Sequence, residues 1–205
     1  MTGKDRKIFP WLLGGLIGLA LFGWSSLATA QQPQRPTGGK VSTWNWDGLS
    51  LEVAPLPIEP ATAFFSNRGF PYQKAIKLAQ NGCIFRSAIG HEGKKASEPP
   101  VHIDVRDWSL KIGGVERAYR TKEEWLARFE KDGVPEDARI AFQWATFPTS
   151  QTFLAQDYNW GIHAFDLPAG TTFDLTVVWR YGKYRKRVVL KDLECSVNKA
   201  KNETK

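Results

Sequence analysis

Three histidines, His91, His102 and His163, are the residues best able to do inorganic chemistry in this chain of 205 residues. His102 and Asp104 sit two apart in "VHIDVRDWSLKI", a segment whose apolar positions alternate. Alternation puts both on one face of a strand, where an imidazole and a carboxylate could share an ion. With His163 as a third ligand this is a candidate copper or other transition-metal site. The only methionine is Met1, which removes a thioether site for Cu(I), and no H-x-H, H-E-x-x-H or C-x-x-C occurs. The leading expectation is therefore no cofactor, with copper at His102, Asp104 and His163 as the alternative.

Nucleophilic catalysis needs a serine or cysteine beside a base that a third group orients. Ser, His and Asp are all present, but no G-x-S-x-G frame holds them. The acidic pairs Glu123-Glu124 and Glu136-Asp137 read as solvated charge on or beside helices. The expectation is a non-enzymatic protein with no catalytic residue.

The strongest local signal is electrostatic. The formal charge is +7, and residues 180–205 hold nine Lys or Arg against three Asp or Glu. "WRYGKYRKRVVLKDLEC" carries most of this excess, and Arg180, Lys183, Tyr184, Arg185, Lys186 and Arg187 form the candidate partner-binding set. Such a patch suits an acidic envelope protein or an anionic surface. Stacking tyrosines among cations would also suit single-stranded nucleic acid, but the chain carries the marks of export, so nucleic acid is not expected.

Those marks begin at the N-terminus. Lys4, Arg6 and Lys7 form a positive region, Trp11 to Trp24 is an uncharged apolar run, and "SSLATA" offers Ala28 and Ala30 as an A-x-A cleavage site. Residues 1–30 thus read as a signal peptide, or, if uncleaved, as a membrane tether through residues 8–30. Residues 31–40 read as a polar linker and 199–205 as a basic tail. Either way the domain at 41–198 is expected to be periplasmic or otherwise exported, anchored to the inner membrane in the uncleaved case. The two cysteines, Cys83 and Cys195, both lie in the exported part, and an even count there favours one disulfide.

Several elements must position these groups. Val41–Trp46 and Leu49–Val53 read as strands around Asp47-Gly48, with Trp44 and Trp46 on one face as core residues or a platform for sugar rings. Ala61–Phe65 reads as a further short strand. "GFPYQKAIKLAQNG" and "TKEEWLARFEKDG" read as helices, the second opened by a capping box of Thr121 and Glu124. From Arg139 onward the pattern is β, with Ile140, Phe142 and Trp144 alternating, and Phe173, Leu175, Val177 and Trp179 later on one face. About eight short strands predict a mainly β fold. The expected architecture is an immunoglobulin-like β-sandwich with two short inserted helices, preceded by the N-terminal signal or anchor segment.

Overall fold

The computed structural model describes residues 41–197. The expected signal or anchor (1–30), linker (31–40) and basic tail (199–205) lie outside the described residues. None of the described helices is long and apolar enough to cross a membrane.

Two antiparallel sheets share one core, and four helices cover part of the smaller sheet. β1 (Ser42–Trp46) and β2 (Leu49–Pro55) form a hairpin whose two-residue turn places Asp47 at φ 50° and Gly48 at φ 78°. Two positive φ angles define the turn that matches strand twist, and Asp-Gly is suited to it. β3 (Ile84–His91) and β8 (Tyr158–Ala164) complete the order β1-β2-β3-β8. An immunoglobulin domain would instead set its first, second, fifth and fourth strands side by side. The first three strands here make a simple meander, which departs from the immunoglobulin-like topology expected from strand spacing.

The six-stranded sheet is organised by β9 (Thr172–Tyr181). β10 (Tyr184–Glu194) lies along one edge of it, with an irregular register between Leu190 and Leu193. Along the other edge come β4 (Val101–Asp104) and then β5 (Ser109–Ile112), separated by a 3-10 turn at Val105–Asp107. β7 (Ser150–Phe153) pairs with β4, and β6 (Val115–Ala118) with β5. Leu49, Leu51, Val53, Phe85 and Ile89 of the smaller sheet pack against Val101, Ile103, Leu175, Val177 and Trp179 of the larger.

The helices make a second core. α1 (Ile58–Ser66), α2 (Tyr72–Asn81), α3 (Lys122–Lys131) and α4 (Glu136–Ala145) gather Phe65, Phe70, Trp125, Phe129 and Phe142 against Ile84, Ile162 and Ala164. Since Ile84 alternates with Phe85, this core lies on the opposite face of the smaller sheet from the first. α2 and α3 occupy the expected segments, and the capping box is complete, with Glu124 N–H donating to Thr121 Oγ1 and Thr121 N–H to Glu124 Oε2.

α1 and α4 replace expected strands. In α1 the buried residues Ile58, Ala61, Thr62 and Phe65 follow helical spacing, and Pro60 falls in the first turn, where no intrahelical donor is needed. In α4 the buried pair is Ala138 and Phe142, four apart, while Ile140 and Trp144 are 48% and 84% exposed. The apparent alternation around Phe142 was thus supplied by two residues outside the core.

The β1–β2 turn abuts the β9–β10 hairpin. A Cβ on Gly48 would come within 2.5 Å of the Tyr181 ring, and Trp179 Nε1 donates to Asp47 O at 3.1 Å. Gly48→Ala therefore combines a strained left-handed φ with a clash. Its expected cost is about 1–3 kcal/mol, read as a lower urea midpoint at unchanged slope.

Candidate functional site

The β9–β10 hairpin turns through Gly182 (φ 57°) and Lys183, with Tyr181 opposite Tyr184 and Arg180 opposite Arg185. A single positive φ at the first turn position suits glycine and holds the two strands in tight register. That register divides five of the six predicted partner-binding residues between two faces and leaves Lys183 in the turn. Tyr184 and Lys186 pair with Tyr181 and Trp179, whose side chains pack on the inter-sheet core, so they belong to the inner face at its open end. Lys186 is held there by Asp47 at 3.2 Å, and Lys183 and Lys186 both lie over the Tyr184 ring, at 5.4 and 5.9 Å. Arg180, Arg185 and Arg187 project from the outer face.

The structure extends the outer set with a residue considered in the sequence only for metal. His102 is opposite Arg180 on β4, and Thr152 is opposite His102 on β7. Arg185, Arg180, His102 and Thr152 therefore form one row across four strands, with His102 Nδ1 2.9 Å from Thr152 Oγ1. Arg187 stands one step along from Arg185 on the same face. Asp107 approaches Arg185 at 3.8 Å, and Asp104 is engaged by Arg106 through a bidentate pair. That guanidinium holds the Asp104 carboxyl below its ordinary range. Arg180 and Arg187 enter no ion pair among the described residues. No sequence signal could reveal this row, because residues 102, 152, 180 and 185 meet only through strand pairing.

The three predicted metal ligands do not converge. His102 and Asp104 lie on the outer face of the larger sheet, whereas His163 is fully buried between the sheets. No group of three or more His, Cys, Asp or Glu is placed to hold a metal among the described residues.

His163 instead centres a buried chain. Tyr119 Oη lies 2.8 Å from Nδ1, Nε2 lies 2.9 Å from Ser87 Oγ, and Ser87 Oγ lies 3.2 Å from Gly161 O. Every donor finds an acceptor when the tyrosine donates to Nδ1, Nε2–H donates to the serine, and the serine donates to the carbonyl. Trp108, Phe147 and Phe165 stack around the imidazole. Burial pushes the His163 pKa down to about 3, so the ring is neutral, and burial raises that of the Tyr119 phenol. The Ser–His pair resembles an activated nucleophile in composition alone. Its serine proton is directed at Gly161, and aromatic rings occupy the space a substrate would need.

The sulfurs of Cys83 and Cys195 are bonded at 1.98 Å, with the Cα atoms 5.0 Å apart. Cys83 immediately precedes β3 and Cys195 immediately follows β10, so the bond staples one sheet to the other. Trp44 is half buried against the inter-sheet core and Trp46 is 63% exposed, so they do not form a shared open platform.

No protein-family model and no curated protein matches the chain. It is similar to a solved structure described as a "putative lipoprotein" (YcdA) of Bacillus subtilis, at 14% identity and a TM-score of 0.38. The match covers 76% of this chain and 39% of that one, so the chain spans well under half the length of that protein. A likeness this slight assigns neither a fold family nor a function.

Proposed function

We propose that the chain is an exported, non-enzymatic accessory domain that binds an acidic envelope protein through Arg180, Arg185 and Arg187, with His102 completing the row. The observation that carries this reading is the direct pairing of Arg180 with Arg185 across adjacent strands. Like charges directly opposite each other in a sheet destabilise it. Among the described residues no carboxylate nearer than Asp107, at 3.8 Å, offsets the pair. An anionic partner removes the repulsion and gains planar, bidentate hydrogen bonds that arginine makes and lysine does not. The apolar segment ending in "SSLATA" and the Cys83–Cys195 bond support export, since disulfides persist in oxidising compartments.

The test compares two charge reversals on opposite faces of one hairpin. Arg180→Glu/Arg185→Glu/Arg187→Glu should weaken binding to a purified acidic partner, found by cross-linking in the envelope, by about tenfold or more, or ~1.4 kcal/mol. The difference should shrink at high salt, as exposed charges are screened. Lys183→Glu/Lys186→Glu should leave the affinity within about twofold. Equal loss in both variants, or adsorption to phosphatidylglycerol vesicles with no protein captured, would overturn the reading.

A further inference from the structure

A cleft of about 290 Å³ opens between α2 and α3, on the helical side of the smaller sheet and away from the arginine row. Its walls are Phe70, Leu78, Trp125, Phe129 and Val134, all buried side chains of the helical core. Trp125 is fixed as a wall because its indole N–H donates to Ala164 O at 3.0 Å. The mouth carries Lys74, Lys77 and Arg128 together with Asp132 and Asp166.

The charges at the mouth do not cancel. Asp166 is already shared by two guanidinium groups, Arg128 at 2.8 Å and Arg120 at 3.0 Å. Asp132 has only a long pair with Arg128 at 3.9 Å, and Lys74 donates to its neutral main-chain carbonyl. Lys77 is exposed and enters no ion pair among the described residues. The cleft therefore joins an aromatic floor to a rim with excess positive charge.

Its border is also conformationally unusual. Asp166 takes φ 56°, and Cys83, next to the lining residue Gly82, takes φ 47°. Left-handed conformations outside glycine persist where surrounding structure over-determines them, and they cluster at ligand clamps. Here the two arginines hold Asp166, its N–H donates to Gly82 O at 3.1 Å, and the disulfide holds Cys83. The rim is preorganised, which lowers the cost of binding.

We infer that this cleft binds a small amphipathic carboxylate, with its hydrocarbon against Trp125, Phe129 and Leu78 and its head group at Lys74 and Lys77. At about 30 Å³ per water-sized group, the volume admits roughly ten such groups. That matches a medium-length hydrocarbon chain carrying an anionic head, whether a free fatty carboxylate or one chain of an anionic phospholipid. The inference is independent of the arginine row, since the two sites share no residue.

The test titrates octanoate into 15N-labelled protein recovered from the envelope with its N-terminus as processed there. Amide and indole signals of Leu78, Trp125 and Asp166 should move saturably, with Kd on the order of 0.1–1 mM. Octanol should bind more weakly and octylammonium weakest. Lys74→Gln/Lys77→Gln, at a partly exposed and an exposed position, should weaken octanoate about fivefold and leave octanol unchanged. Phosphatidylglycerol vesicles that move the same signals would identify a lipid chain as the source. No saturable change at the cleft with either probe, equal binding of octylammonium, or an unaltered octanoate affinity in the folded double variant would each overturn the inference.

Discussion

Replacing both cysteines, as Cys83→Ala/Cys195→Ala, should lower the stability of the domain by about 4–5 kcal/mol in the chain-entropy account. The bond closes a loop with a sequence separation of 112 residues, so its loss releases a large ensemble of unfolded conformations. It also ties the smaller sheet, beside β3, to the larger, beside β10, through a side-chain bond that adds to the backbone connections. Against a typical total of about 5–15 kcal/mol, a loss of this size threatens folding at physiological temperature. Urea unfolding of the wild type with and without reductant, beside the double variant, measures it. Reduced wild type and double variant should agree closely, because both cysteines are buried and a pair of alanines removes little else. A decrease below about 1 kcal/mol would show that the unfolded chain is already confined in some other way.

The second large effect is acid sensitivity through His163. Its folded pKa is near 3, well below the ordinary value of 6.5, because burial disfavours the imidazolium. As pH falls through 6.5 the unfolded chain takes up a proton that the folded protein refuses. The stabilisation is therefore complete above 6.5 and is lost progressively as pH falls toward 3. At about 1.4 kcal/mol per pH unit, the loss between pH 7 and pH 4.5 approaches 3 kcal/mol. Below that range the paired carboxylates add their own losses. Asp174, held low by Lys191, and Asp104, held low by Arg106, must then be protonated. His163→Gln should be less stable at pH 7, since Tyr119 and Ser87 lose a well-placed partner, but its stability should be nearly flat from pH 7 to pH 4.5. An unchanged acid slope in that variant would move the effect to other groups.

Much of the local structure was legible in the chain. Asp47-Gly48 announced a tight hairpin because few residue pairs accept two positive φ angles. Thr121 and Glu124 announced the start of α3 because a helix leaves its first N–H groups unpartnered. Period-two patterning found β4 and β9, whose inner faces are core. The same rule failed at Ile140, Phe142 and Trp144, where two of the three apolar residues are exposed. It failed also at Ala61–Phe65, a window too short to show the helical spacing that begins at Ile58.

The candidate site was half legible. Composition located the basic charge in the last hairpin, but strand alternation decided which charges act together. Arg180, Arg185 and Arg187 share a face because their positions differ by register, while Lys186 turns inward to Asp47. His163 shows the same limit, since a histidine between Ile162 and Ala164 reads alike as ligand, base or core. Two hydrogen-bonded neighbours distant in sequence, Tyr119 and Ser87, and the burial around them settled it as a neutral buried imidazole.

Read from the chain alone were the Asp47-Gly48 hairpin, the start of α3, the strands β4 and β9, the position of the basic charge and the two cysteines. Those properties depend on neighbours within a few residues, where sterics, caps and periodicity act. Tertiary structure alone decided the strand order, the helical layer, the row from Arg185 through Arg180 and His102 to Thr152, and the cleft between α2 and α3. Each of these joins residues far apart along the chain, and such contacts are fixed by how sheets and helices bury their apolar faces together.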